Sequence, residues 1–135
     1  MKRLLFAALA LASFAKGRAD VVTEWNQLLN QTFANEGSSA SPPTNTRAMG
    51  MMGGAMFDAV NSISRDYNSY LGYFDPTTAG SGIDVNSAAA TAANTVLQSV
   101  FNDYFGSGNS YATGFTNLYN TQMSSVADGA AKQRG

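Results

Sequence analysis

The sequence predicts an all-α protein: a helical bundle of about four amphipathic helices, forming an incomplete part of a larger α-helical fold. Three observations predict it. Apolar residues recur at i, i+3, i+4 and i+7 in four separate stretches. Gly-, Pro- and Ser-rich segments separate those stretches. No run of alternating apolar and polar residues is long enough to make a useful β-strand.

Residues 1–19 are expected to be a signal peptide rather than part of the bundle. Lys2 and Arg3 precede an uncharged run from Leu4 to Ala15, and small residues suited to cleavage sit at Ser13 with Ala15 and again at Gly17 with Ala19. The run has 12 residues, too short to cross a hydrocarbon core of ~30 Å as a helix. Residues 20–135 then form the exported part, secreted or periplasmic.

The first helix is predicted from Asp20, a candidate N-cap, to about Phe33, with Val21, Val22, Trp25, Leu28, Leu29 and Phe33 on one face. The second starts near Asn45 or Thr46 and runs to about Arg65. Met49, Met52, Met56, Val60 and Ile63 form its apolar stripe. A Gly inside a helix costs ~1 kcal/mol relative to Ala, so Gly50, Gly53 and Gly54 imply close approach of a neighbouring helix. Tyr67 to Asn86 reads as a loop. A third helix runs from about Ser87 to Phe105, capped by Asp84 or Asn86, with an alanine-rich first half and an aromatic second half. The fourth runs from about Ser110 to Val126, carrying Tyr111, Phe115, Leu118 and Tyr119 on one face. Asp128 looks like the N-cap of a fifth helix, at whose opening turns the chain stops.

Composition excludes several kinds of chemistry. The 135 residues contain no Cys and no His, so thiolate nucleophiles, Ser-His-Asp triads and His-ligated metals are impossible within this chain. Charged residues make up 13%, about half the usual share. No basic cluster lies outside the first 18 residues, which argues against a nucleic-acid partner. Removal of residues 1–19 leaves four basic and nine acidic side chains, a formal charge of −5.

No P-loop ending comes after the glycines of the second helix. Asn30-Gln31-Thr32 fits a glycosylation sequon, but such matches are common by chance. Asp58, Asn61 and Arg65 form the most prominent polar group, on one side of the second helix. Asp58 could serve as a base or metal ligand. The commoner use of such a group is hydrogen bonding to neighbouring helix ends, or solvent exposure. Glu24, Asp66 and Asp75 have no partners at metal-ligand spacing, and no carboxylate pair supports a small hydrolase. No catalytic, cofactor-binding or metal-binding residue is assigned from the sequence.

Several stretches taken together do carry a resemblance. Asp20-Val-Val-Thr-Glu-Trp-Asn26 is succeeded by Ala55-Met-Phe-Asp-Ala-Val-Asn-Ser-Ile63, then Arg65-Asp-Tyr67 and Tyr70-Leu71. An alanine run leads into Ala93-Asn-Thr-Val-Leu97, and Asp128-Gly-Ala-Ala-Lys132 closes the series. In order and spacing this resembles the N-terminal helical region of exported bacterial vanadium-dependent haloperoxidase-like proteins, of the type-2 phosphatidic acid phosphatase superfamily. The similarity spans essentially all of 20–135, and the Ala55–Asn61 stretch is its most specific part. Members often carry His where this chain has Gly53, and a His or another polar residue is common where it has Asn94.

The resemblance implies an all-α enzyme whose oxyanion, vanadate or phosphate, is held by a Lys, two Arg and a Ser-Gly pair, with one His on vanadium and another in acid/base chemistry. Guanidinium forks and backbone donors suit such an anion. The family's Lys-to-Arg-Pro, Pro-Ser-Gly-His and Ser-Arg-to-His motifs do not occur here. The chain is therefore expected to be a non-catalytic N-terminal scaffold, truncated before the catalytic region, that alone neither binds vanadate nor turns over halide. Vanadate belongs to the full-length parent. The expected partners are the missing C-terminal catalytic segment and, through exposed apolar faces, a second copy. The alternative is an exported, non-enzymatic helical binding or surface-associated module.

Overall fold

The computed structural model describes residues 20–36, 41–72 and 82–135. The predicted signal peptide and the Tyr73 to Ser81 part of the predicted loop lie outside the described residues. Among the described residues five helices occur in order: α1 Val21–Glu36, α2 Pro42–Ser64, α3 Val85–Phe105, α4 Ser110–Ser125 and the short α5 Ala130–Arg134. No strand occurs among the described residues, so the all-α class holds.

Local chemistry sets the helix ends. Thr23 donates its amide to Asp20 Oδ1 at 2.8 Å, which makes Asp20 the N-cap of α1. Asp84 and Asn109 do the same for α3 and α4, accepting from Ser87 and Ala112. Helix α2 begins earlier than its apolar stripe predicts, at Pro42 with Ser41 as N-cap. Proline at the first helical positions lacks only an N–H that would be unpaired anyway, so the Pro42-Pro43 pair starts the helix instead of preceding it. Helix α5 is capped by Gly129 rather than Asp128. Its φ of 150° suits glycine, and Asp128 pairs instead with Lys132 one turn along.

Helix α3 is the centre of the bundle and touches α1, α2, α4 and α5, packing most extensively on α2 and next on α4. Its consecutive residues Ala88, Ala89 and Ala90 are all buried. Three neighbours in a row span more than half of a helix circumference, so α3 is covered there from more than one side. Small side chains allow that approach. Farther along, Phe101 fills a wider gap, with ring centroids 4.8 Å from Phe115, 5.5 Å from Tyr111 and 6.3 Å from Phe33. Trp25, Leu29, Met52, Met56 and Leu97 complete the core. The methionine stripe is thus core, whereas Val22, placed on an apolar face by periodicity, is exposed.

The glycines of α2 do not receive a helix from the described residues. The ring of Tyr70 lies over Gly54, 3.3 Å from where a Cβ would stand, while Gly50 and Gly53 face open space.

Candidate functional site

The polar group of α2 takes its shape from the turn at the end of the helix. Arg65 adopts the left-handed conformation, φ 61°, and its amide closes onto Asn61 O at 2.7 Å. This turns the chain back along α2 as a strap over residues 65–72. Asn61 then reads the strap with both ends of its amide, donating to Tyr67 O at 2.8 Å and accepting from Tyr67 N at 2.9 Å. One turn earlier, Asp58 accepts main-chain hydrogen bonds from Tyr70 N at 2.6 Å and Leu71 N at 2.8 Å, one on each carboxylate oxygen. Gly54, another turn back, leaves room for the Tyr70 ring.

Gly54, Asp58 and Asn61 therefore lie along one side of α2 at i, i+4 and i+7 and hold a single segment. Asn61 is buried although helical periodicity sets it opposite the core, because the strap covers it. Arg65 belongs to the strap, and its Nε donates to Ser62 O at 2.7 Å. Both oxygens of Asp58 hold backbone, which is a structural use of a carboxylate. Among the described residues no group of three or more His, Cys, Asp or Glu is placed to hold a metal.

A second polar node joins α1 to α4. Trp25 donates its indole N–H to Gln122 Oε1 at 2.8 Å, and Gln122 Nε2 donates to Glu24 Oε2 at 2.6 Å. Trp25 is fully buried and Gln122 nearly so. Sequence reasoning misses Gln122, although it stands seven residues after Phe115 and so on the same face of α4. Beside this node is a cleft of about 410 Å³ whose lining includes Asp20, Glu24, Asp84, Asn86 and Gln122. Its carboxylates have structural duties: Asp20 and Asp84 cap helices and Glu24 holds Gln122.

The described cations do not assemble an oxyanion cradle. Arg47 donates to the Tyr104 hydroxyl, Arg65 to Ser62 O, Lys132 to Asp128 and Val126 O, and Arg134 to Gly82 O and Ala130 O. No two share a partner in these bonds, and no reaction step through vanadate or phosphate is derived from the described residues. Asp128 is held below the usual carboxylate range by the hydrogen bond from Lys132 and by its charge. No described helix is long and apolar enough to cross a membrane. Comparison with protein-family models, curated proteins and solved structures gives no match for this chain.

Proposed function

We propose that residues 20–135 are the N-terminal helical scaffold of an exported enzyme of the vanadium-dependent haloperoxidase and type-2 phosphatidic acid phosphatase kind. They hold fold elements in place and contribute no oxyanion-binding residue. The supporting observation is the use made of Ala55–Ile63, the stretch that carries the resemblance. Its polar members Asp58 and Asn61 bond the strap, and its apolar member Met56 lies in the core. A stretch so engaged has a structural reason for its residue types. The motifs that would hold vanadate, and the halide oxidation or phosphoester hydrolysis they would perform, belong to a parent chain.

Two experiments test this reading. Sequencing of the coding region beyond codon 135 should reveal a Lys-to-Arg-Pro segment and a Pro-Ser-Gly-His. A frame lacking both overturns the reading. The purified 135-residue product, supplied with vanadate, peroxide and bromide, should leave an indicator dye unbrominated, and turnover would contradict the scaffold role.

Export is part of the same proposal, with cleavage after Ala19. Asp20 caps α1 with its own side chain, so the helix start needs nothing upstream. N-terminal sequencing of secreted or periplasmic material should begin at Asp20. A second reading, an exported binding module without catalytic function, is favoured by the outward-facing Tyr67, Tyr70 and Leu71.

A further inference from the structure

The strap 65–72 combines a firmly held backbone with outward-facing apolar side chains. Tyr67 is 69% exposed, Tyr70 76% and Leu71 73%, and beside them on α2 Phe57 is 42% and Met51 41% exposed. Phe57 and Tyr67 are in ring contact, with centroids 6.1 Å apart. The backbone beneath is fixed by the Asp58 and Asn61 hydrogen bonds. Groups already ordered lose less conformational freedom when they bind.

Gly50 adds an independent observation. It lies on the same line of α2 as Gly54 and Phe57, at i, i+4 and i+7. Among the described residues, no atom from outside its own helix comes within 4 Å of where its Cβ would stand. Glycine within a helix costs ~1 kcal/mol relative to alanine. Packing among the described residues gives nothing in return at Gly50, whereas at Gly54 it admits the Tyr70 ring. Glycine also lets a foreign backbone or side chain approach a helix closely.

We infer that this face, Gly50, Met51, Phe57, Tyr67, Tyr70 and Leu71, is the contact surface for a second copy of this chain, related by a two-fold axis. Area and charge carry the choice of occupant. With roughly 200 Å² per large side chain, the stated exposures amount to on the order of 600 Å² of largely apolar surface per copy. That lies at the upper end of the 300–600 Å² or so that the largest patch on a monomer covers. Two such faces together bury on the order of 1,200 Å², at the lower edge of specific interfaces. The charges on or beside the face, Arg47, Asp58, Arg65 and Asp66, sum to zero, while residues 20–135 as a whole carry −5. Two acidic chains therefore meet there without the repulsion their net charge imposes elsewhere. A two-fold contact is self-complementary and closes at two copies. The area argument stands apart from the proposed function, and the charge argument rests on its export step, the removal of residues 1–19.

Sedimentation equilibrium of the processed chain, residues 20–135, from low to high micromolar, tests it. The wild type should reach the mass of a dimer. Leu71→Lys and, separately, Gly50→Lys should each raise the dissociation constant at least about tenfold. Gly50→Lys replaces glycine by a better helix former in open space, so its melting temperature should equal or exceed that of the wild type under monomeric conditions. This separates loss of contact from loss of fold. A wild type that stays monomeric throughout, an open series of larger species, or a dimer unmoved by both substitutions would each overturn the inference.

Discussion

Trp25 and Gln122 lie 97 positions apart in sequence, yet the indole N–H meets the amide oxygen at 2.8 Å in the interior. That bond ties the first helix to the fourth, and Glu24 holds the other end of the same amide. Gln122→Leu fills similar space while leaving a fully buried indole N–H without an acceptor. Such a loss costs about 1–3 kcal/mol. Urea unfolding monitored by the fluorescence of Trp25 should show the midpoint fall accordingly, and an unchanged midpoint would mean that the bond adds nothing.

Gly50 and Gly54, both on the outer side of α2, separate by the sign of an added methyl. Gly50→Ala adds it in open space and should raise stability by about 0.5–1 kcal/mol. Gly54→Ala sets the same methyl 3.3 Å from the Tyr70 ring, so it should gain less or lose. In a Tyr70→Ala background the two substitutions should become equal. Thermal melts at a dilution that keeps the chain monomeric make the comparison, and a difference that survives Tyr70→Ala would assign it elsewhere.

The pH response of the C-terminal turn comes from Asp128. Its carboxyl is held below the usual range, first by the hydrogen bond from Lys132 and then by that side chain's charge. A lowered native value means that the pair stabilises the fold fully above the usual carboxylate range and stops doing so as pH falls through the lowered value. Asp128 is almost wholly exposed, so the effect is small and screened by salt. An NMR titration should show Asp128 losing its charge at lower pH than in Lys132→Ala. Coincident titrations would contradict the pairing.

Legibility of the fold and of the polar group in the sequence depends on whether a residue's neighbours are local. Asp20 and Asp84 announce their helices because an N-cap bonds an amide three residues on. Part of the α3 core follows a helical period, with Ala89, Ala93, Leu97, Val100 and Phe101 recurring on one face, but the burial of Ala88 and Ala90 on either side of Ala89 does not. The start of α2 is not legible, because proline breaks a helix in its interior but favours its first turn. Periodicity sets Asn61 on the polar side of α2, but no periodicity shows that a strap will bury it. Gln122 is invisible for a related reason: a polar residue on an apolar face gains meaning only from Trp25 and Glu24, nearly a hundred positions away. Gly54 signals close approach in sequence, but whether a helix or a ring does the approaching is decided by the turn at Arg65.

A scaffold differs here from a site with a free carboxylate in one respect: Asp58 serves as a structural acceptor for the strap. Hydrogen exchange of the Tyr70 and Leu71 amides is the direct measurement. In the wild type both should be protected although their side chains are exposed. In Asp58→Ala their protection should be lost, while the amides of α2 around Met52 and Met56 keep theirs. Unprotected Tyr70 and Leu71 amides in the wild type, or protection that survives Asp58→Ala, would contradict the scaffold role.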